Sequence, residues 1–204
     1  MIGEDSRQPI EPWTVERSVY SYRDRWIRLR SDDCRMASGQ RISPYHVIEL
    51  PTWLNVVALT PACQVVLVTE YRHGLGEILT GLPSGTVDPE DPDVEAAARR
   101  ELLEETGFGG GRFLLLGRHP ANPANQNNEV VGFLAIGVDR IATQALDPTE
   151  EIAVSTEDFA PWFGKVCRME VRMQVSHIAA TLMAARLIDG GEVPELEHLR
   201  SNLF

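Results

Sequence analysis

Gly85–Phe108 reads GTVDPEDPDVEAAARRELLEETGF, and the rest of the chain is organised around it. The spacing predicts a loop, a helix and a turn. Asp91 is the expected N-cap and Pro92 the first helical residue, where a missing N–H does no harm. Ala96, Ala97, Ala98, Arg99, Arg100, Leu102 and Leu103 are strong helix formers, and Gly107 suits the left-handed residue that closes a helix. On that helix Glu101, Glu104 and Glu105, three and four apart, share one face, and Leu102 and Leu103 point away towards a core. Three like charges on one face repel. A hard cation such as Mg²⁺ or Mn²⁺, which takes oxygen ligands, would relieve the repulsion. From these residues alone, a solvated acidic face is an equal reading.

The string Arg100-Glu101-Leu102-Leu103-Glu104-Glu105-Thr106-Gly107-Phe108 narrows the choice. It resembles the second half of the Nudix hydrolase box, G-x5-E-x7-R-E-U-x-E-E-x-G-U with U bulky and apolar, at every fixed position. The first half departs from the pattern. Counting back from Arg100 puts Pro92 in the glutamate slot, so the loop is one residue longer and Glu90 or Asp91 stands in. Within the family the chain is most similar to the ADP-ribose pyrophosphatase branch, over roughly Trp13 to Ile188. Glu70-Tyr71-Arg72 looks like the segment that supplies a substrate arginine, and Leu82-Pro83-Ser84-Gly85 looks like the branch's L-P-A-G.

The resemblance implies an α/β fold, a mixed sheet sandwiched between helices with an N-terminal antiparallel strand region. It also implies metal-dependent hydrolysis of the pyrophosphate bond of a nucleoside diphosphate linked to another group, with ADP-ribose giving AMP and ribose 5-phosphate as the leading substrate. Other nucleoside diphosphate sugars are the runner-up. A Nudix-fold binding module without turnover is the reading from a different class. The implied cofactor is Mg²⁺ or Mn²⁺. The implied metal ligands are Glu101, Glu104, Glu105, Glu150 and the Ser84 carbonyl. Arg100 would orient a glutamate, and Arg72 would bind the diphosphate, since a guanidinium matches phosphate oxygens. Glu150 also counts among the catalytic carboxylates. Pro148 falls where the branch has its base, which leaves Asp147, Glu150 and Glu151 as substitutes. Gly81 departs from the branch as well, which often has Glu there.

The 204 residues are 43% hydrophobic and 24% charged, ordinary for a globular protein. A formal charge of −11 argues against a nucleic-acid partner and against anionic membrane surfaces. Cys34, Cys63 and Cys167 are isolated and form no C-x-x-C pair, which fits a reducing compartment. No apolar run approaches membrane-spanning length, and the N-terminus lacks the apolar run of a signal peptide; the expected place is the cytoplasm.

Along the chain, Met1–Pro12 reads as a loose tail and Trp13 to about Glu49 as short strands. Residues 1–50 are expected to form the N-terminal strand region and 51–204 the hydrolase domain. Val56–Glu70 reads as a hairpin turned at Pro61-Ala62. Gly109-Gly110-Gly111 is a break, and strands are expected over Phe113–Leu116 and Val130–Val138. Asn122–Glu129 reads as a polar loop, and Asp147–Glu151 as an acidic one. Ser155 or Thr156 is the expected cap of a short helix. A longer helix is expected over Met169–Ile188, with Val171, Val175, Ile178, Leu182 and Leu187 as its apolar stripe and Gly190-Gly191 as its stop. The five histidines show no ligand spacing and read as structural. Trp13, Tyr20, Tyr22 and Trp26 suit a core, an interface or base stacking. Strand patterning with little core of its own makes Trp13–Leu50 the expected contact of a homodimer, which the resemblance also implies.

Overall fold

The computed structural model describes residues 10–203; most of the expected N-terminal tail lies outside them. The chain divides into two compact units, residues 1–50 with Asn122–Asn128, and Pro51–Ala121 with Glu129–Phe204.

In the first unit, strands β1 (Thr14–Arg23), β2 (Arg28–Arg35) and β3 (Arg41–Glu49) form an antiparallel meander. Its side chains are tied by charge: Arg30 pairs with Asp32 at 3.0 Å, and Arg35 with Glu16 at 2.6 Å. Every residue of β1 is exposed. Asn122–Asn128 belongs to this unit, because the Ile48 N–H donates to the Asn125 carbonyl (2.8 Å) and the Leu50 N–H to Asn127 Oδ1 (3.3 Å). The loop therefore does more than turn the chain.

The second unit holds, in order, β4 (Trp53–Leu59), β5 (Gln64–Arg72), β6 (Glu77–Gly81), β7 (Ser84–Thr86), α1 (Val94–Thr106), β8 (Phe108–Gly109), β9 (Arg112–Pro120), β10 (Glu129–Ile136), β11 (Asp139–Arg140), β12 (Ile152–Asp158), α2 (Phe159–Cys167) and α3 (Val175–Asp189), then a 3-10 segment Pro194–Asn202. The main sheet runs β12-β5-β4-β10-β9, with β6 on β5 and β7 on β4. The β4–β10 pair is parallel and the others antiparallel. Alternation along β4 sends Leu54, Val56 and Ala58 into a core with Ala97, Ala98 and Leu102 of α1, and Val57 and Leu59 into a second core with α2, α3 and the 3-10 segment. A mixed sheet between helices, with an antiparallel strand region before it, is the architecture the sequence implied. Leu102 is fully buried, and truncating it to alanine would cost about 2–5 kcal/mol.

Four sequence expectations change. The cap of α1 is Asp93, whose Oδ1 accepts from the Ala96 N–H at 2.8 Å, because the Asp91 carboxylate is occupied by Arg100. Gly107 ends the helix as expected, at φ 74°. Ser155 and Thr156 cap nothing: Ile152–Asp158 is a strand along β5, where Ile152, Val154 and Thr156 favour extended backbone. The helix expected from Met169 starts at Val175, since Met169 takes a left-handed φ of 59°. Its buried face is made of His177, Ala180, Thr181, Ala184, Ala185 and Ile188, while Val175 is 79% exposed. Small side chains let α3 approach the sheet; of the expected stripe Val171, Ile178 and Leu187 pack against the rim of this core, and Val175 and Leu182 are exposed. No helix among the described residues is long and apolar enough to cross a membrane.

Candidate active site

α1 presents its carboxylates to β7. The Ser84 N–H donates to Glu105 Oε2 at 2.9 Å, and the Thr86 N–H to Glu101 Oε1 at 3.2 Å. Gly85 lies between them, and a Cβ there would collide with the Glu101 carboxylate, so glycine is required by this approach. Glu105 is 7% exposed, and burial pushes its carboxyl up to about 8; the Ser84 N–H pulls the other way, while Glu101 and Glu70 push it further up. Burial also raises Glu101, against the pull of Arg100.

Arg100 holds this face in order. Nε and Nη2 grip Asp91 at 3.0 and 2.9 Å, Nη1 reaches Glu101 and Glu104 at 3.1 Å each, and Nη2 also donates to the Thr86 carbonyl at 3.1 Å. The bidentate hydrogen bond from Arg100 keeps Asp91 below the usual carboxylate range. Of the two residues expected to stand in for the displaced glutamate, Asp91 is the one paired with Arg100, and the loop closes on itself through the Asp88 N–H to Asp91 Oδ2 at 2.9 Å. Glu104 faces outward more than its neighbours, its side chain 43% exposed.

Arg72, at the end of β5, pairs with Glu70 at 2.7 Å. Glu70 is the site residue the sequence reading missed. It is half-buried; burial raises its carboxyl, Arg72 lowers it and Glu150 raises it. The signal was present in the β5 alternation, which puts Glu70 on the face of Val66, a member of the α1 core. Glu150 lies in the exposed loop before β12, with Oε2 accepting from the Asp147 N–H at 3.0 Å. Its charge is felt at Glu70, but its side chain is turned onto its own loop.

Two cavities adjoin these residues. One, of about 260 Å³, is lined by Trp53, Asn55, Ser84–Thr86 and Val130, among others. The second, of about 480 Å³, is lined by Glu70, His73, Leu79 and Arg172, among others. Arg72, Gln174 and His177 line both. His177 is 3% exposed; burial, with the nearby Arg72 charge, lowers its ring to about 4.

Among the described residues no three His, Cys, Asp or Glu groups stand ready-made as a metal site. The donor set nonetheless fits a hard divalent cation. Glu101, Glu105 and Glu70 are buried or half-buried carboxylates; Glu101 and Glu70 raise the proton affinity of Glu105, Glu104 raises that of Glu101 and Glu150 that of Glu70, and positive charge among them would relieve that repulsion.

A carboxylate-faced helix laid against the strand before it, on a mixed sheet between helices, defines a class that the comparisons name. The chain matches the NUDIX domain over residues 52–165, more than half of its 204 residues, and so belongs to that family. Residues 13–48 match the nucleoside diphosphate sugar hydrolase N-terminal domain. A methanol dehydrogenase activator of Bacillus methanolicus is 35% identical over 85 residues, covering 41% of this chain and 44% of the relative. An ADP-ribose pyrophosphatase of Mycobacterium tuberculosis is 29% identical over 113 residues, 55% and 54% of the two chains. The chain thus spans about half the length of these curated relatives. A solved structure of an ADP compounds hydrolase superposes with a TM-score of 0.79 at 21% identity, covering 92% of this chain and all of that one, and shares the fold.

Proposed function

We propose that the chain hydrolyses the pyrophosphate bond of a nucleoside diphosphate joined to another group, with ADP-ribose, split into AMP and ribose 5-phosphate, as the first candidate. The observation that carries this reading is the convergence of Glu101 and Glu105 on the backbone N–H groups of β7, with Arg72, the partner of Glu70, lining the cavity beside β7. The named activity of the Mycobacterium tuberculosis relative supports the substrate class.

In this reading Mg²⁺ or Mn²⁺ is held by Glu101 and Glu105, with Glu104, Glu150, the Ser84 carbonyl and Glu70 as the further oxygen donors. Such an ion neutralises diphosphate charge and lowers the pKa of bound water. Arg72 binds the diphosphate as a planar donor. Arg100 keeps Glu101 and Glu104 fixed and takes no proton itself. The proton acceptor is a carboxylate outside α1, and Glu70 and Glu150 are two that stand within electrostatic reach of the site.

The test is release of AMP from ADP-ribose by purified protein with Mg²⁺, with Mn²⁺ and with EDTA, run beside a panel of other nucleoside diphosphate sugars. Metal-dependent release supports the reading, and a different preferred compound moves the specificity within the class. Tight binding without turnover of any compound selects the binding-module alternative.

The N-terminal unit is the proposed contact between two copies. Trp13, Val15, Val19, Tyr22 and Trp26 are each at least 40% exposed there, an apolar surface that association would cover. Light scattering should give a dimer mass; a fully active monomer at micromolar concentration would refute the pairing. A cytoplasmic location remains part of the same proposal.

A further inference from the structure

Asn55 is 1% exposed on the α3 face of β4, and its Oδ1 finds no hydrogen-bond partner among the described residues. An orphaned buried acceptor destabilises the free protein, and a bound ligand or water would relieve it. Asn55 lines the 260 Å³ cavity, as does His177. The His177 ring is fixed by the Leu82 N–H, which donates to Nδ1 at 3.2 Å. The neutral ring therefore carries its proton on Nε2, the donor of a residue that lines both cavities. Gly81 makes this docking possible, since a Cβ there would sit 2.6 Å from Nδ1.

We propose that Asn55 and His177 form a subsite for a sugar hydroxyl, with Gly81 as the residue that lets the imidazole dock. A hydroxyl gives a proton to the Asn55 oxygen and accepts one from His177 Nε2. A phosphate oxygen would serve His177 and leave the Asn55 acceptor unpaired. The cavity is smaller than the ~300 Å³ lower end of pockets for whole ligands, which fits one sugar ring and not a complete nucleoside diphosphate. Trp53 and Val130 supply the apolar wall that the C–H face of a sugar packs on. None of the site residues expected from the sequence, apart from Arg72 and Ser84, lines this cavity.

This inference rests on the reading of the chain as acting on nucleoside diphosphate compounds, and its test separates the two. Three compounds are compared: ADP-ribose, the ethyl ester of ADP, which lacks the terminal sugar, and ADP-ribose whose adenosine ribose lacks its 2′ and 3′ hydroxyls. Turnover is measured with Mg²⁺, and binding by calorimetry in EDTA. The full chain should favour ADP-ribose over one of the two deficient compounds by about 10- to 100-fold in both readouts, and that compound names the sugar. Asn55→Val and His177→Asn should bring the ratio close to one. His177→Asn keeps an acceptor for the Leu82 N–H, so its loss is not merely structural. His177→Gln, which restores a donor near Nε2, should recover most of the ratio. Should Asn55→Val not fold, the His177 pair decides alone. Equal losses on all three compounds, or an unchanged ratio, overturn the subsite. If nothing is hydrolysed but the binding ratios collapse as described, the hydrolase reading fails and the subsite stands.

Discussion

On the α1 face of the sheet, the polar groups are carboxylates and one arginine from a single stretch, Asp91 to Glu105, closing onto β7 only a few residues upstream. On the α3 face they are Asn55 and His177, and the contact that fixes the imidazole joins Leu82 to a residue 95 positions away. Both faces pack against the same strands. The first is charged, internally paired and crowded, whereas the second sets two neutral side chains beside the single charge of Arg72. A helix repeat can dictate the first kind of site, and only a tertiary fold can assemble the second.

The difference is broken most directly at Glu105. Glu105→Gln should lower turnover on the order of 10³-fold at saturating Mg²⁺ with the fold intact by circular dichroism, the scale on which losing an electrostatic group at a reacting centre is felt. Wild-type rates in the folded variant would remove α1 from the chemistry.

The neutral face is tested by pH. The folded value of His177, about 4, lies below its ordinary 6.5, so the native ring resists the proton that the unfolded chain accepts. Its contribution to stability is fully present above about pH 6.5 and is lost as pH falls towards 4, by up to about 3 kcal/mol. Urea unfolding from pH 7 to 4.5 should show a shallower decline in His177→Asn than in the wild type. Parallel curves would mean that the ring is already solvated.

Two smaller effects sharpen the contrast. Asp91→Ala should destabilise by about 2 kcal/mol, because Arg100 loses its bidentate partner and keeps Glu101, Glu104, the Thr86 carbonyl and the longer contact to Asp88; the partial exposure of Arg100 keeps the figure below that of a fully buried pair. Retained melting temperature and retained activity would make the longer loop incidental. Arg72→Ala should raise KM for diphosphate substrates about tenfold and change kcat less, the pattern of lost ground-state binding. An unchanged KM would leave Arg72 as the partner of Glu70 alone.

Much of the α1 face was legible in the sequence because its residues lie within two turns of one another. The helix, its glycine end and the inward face of Glu101 and Glu105 follow from spacing. The cap did not follow, since Asp91 and Asp93 are chemically equivalent as caps and only the reach of Arg100 tells them apart. Glu70 was readable from β5 alternation but carried no mark of its own. Asn55 sits in an apolar run and His177 on a helix whose buried face is mostly small side chains, so neither shows as functional until Gly81 and Leu82 are placed against α3. The register of β12 was hidden for a related reason: Ser, Thr, Glu and Asp together look like a helix start, and the edge of β5 offered them a better partner.

The excursion of Asn122–Asn128 into the first unit bears on biosynthesis and on any truncated form. The ribosome emits β1 to β3 long before the segment that completes their hydrogen bonding at Ile48 and Leu50. The nascent meander must therefore wait, with its aromatics uncovered, until about half of the remaining chain has emerged, an interval in which a holdase would have a surface to grip. The same connectivity defeats a simple cut after Leu50. A shortened protein would keep a seven-residue loop whose partners had been removed, so a clean deletion must also replace residues 122–128 with a short turn between β9 and β10.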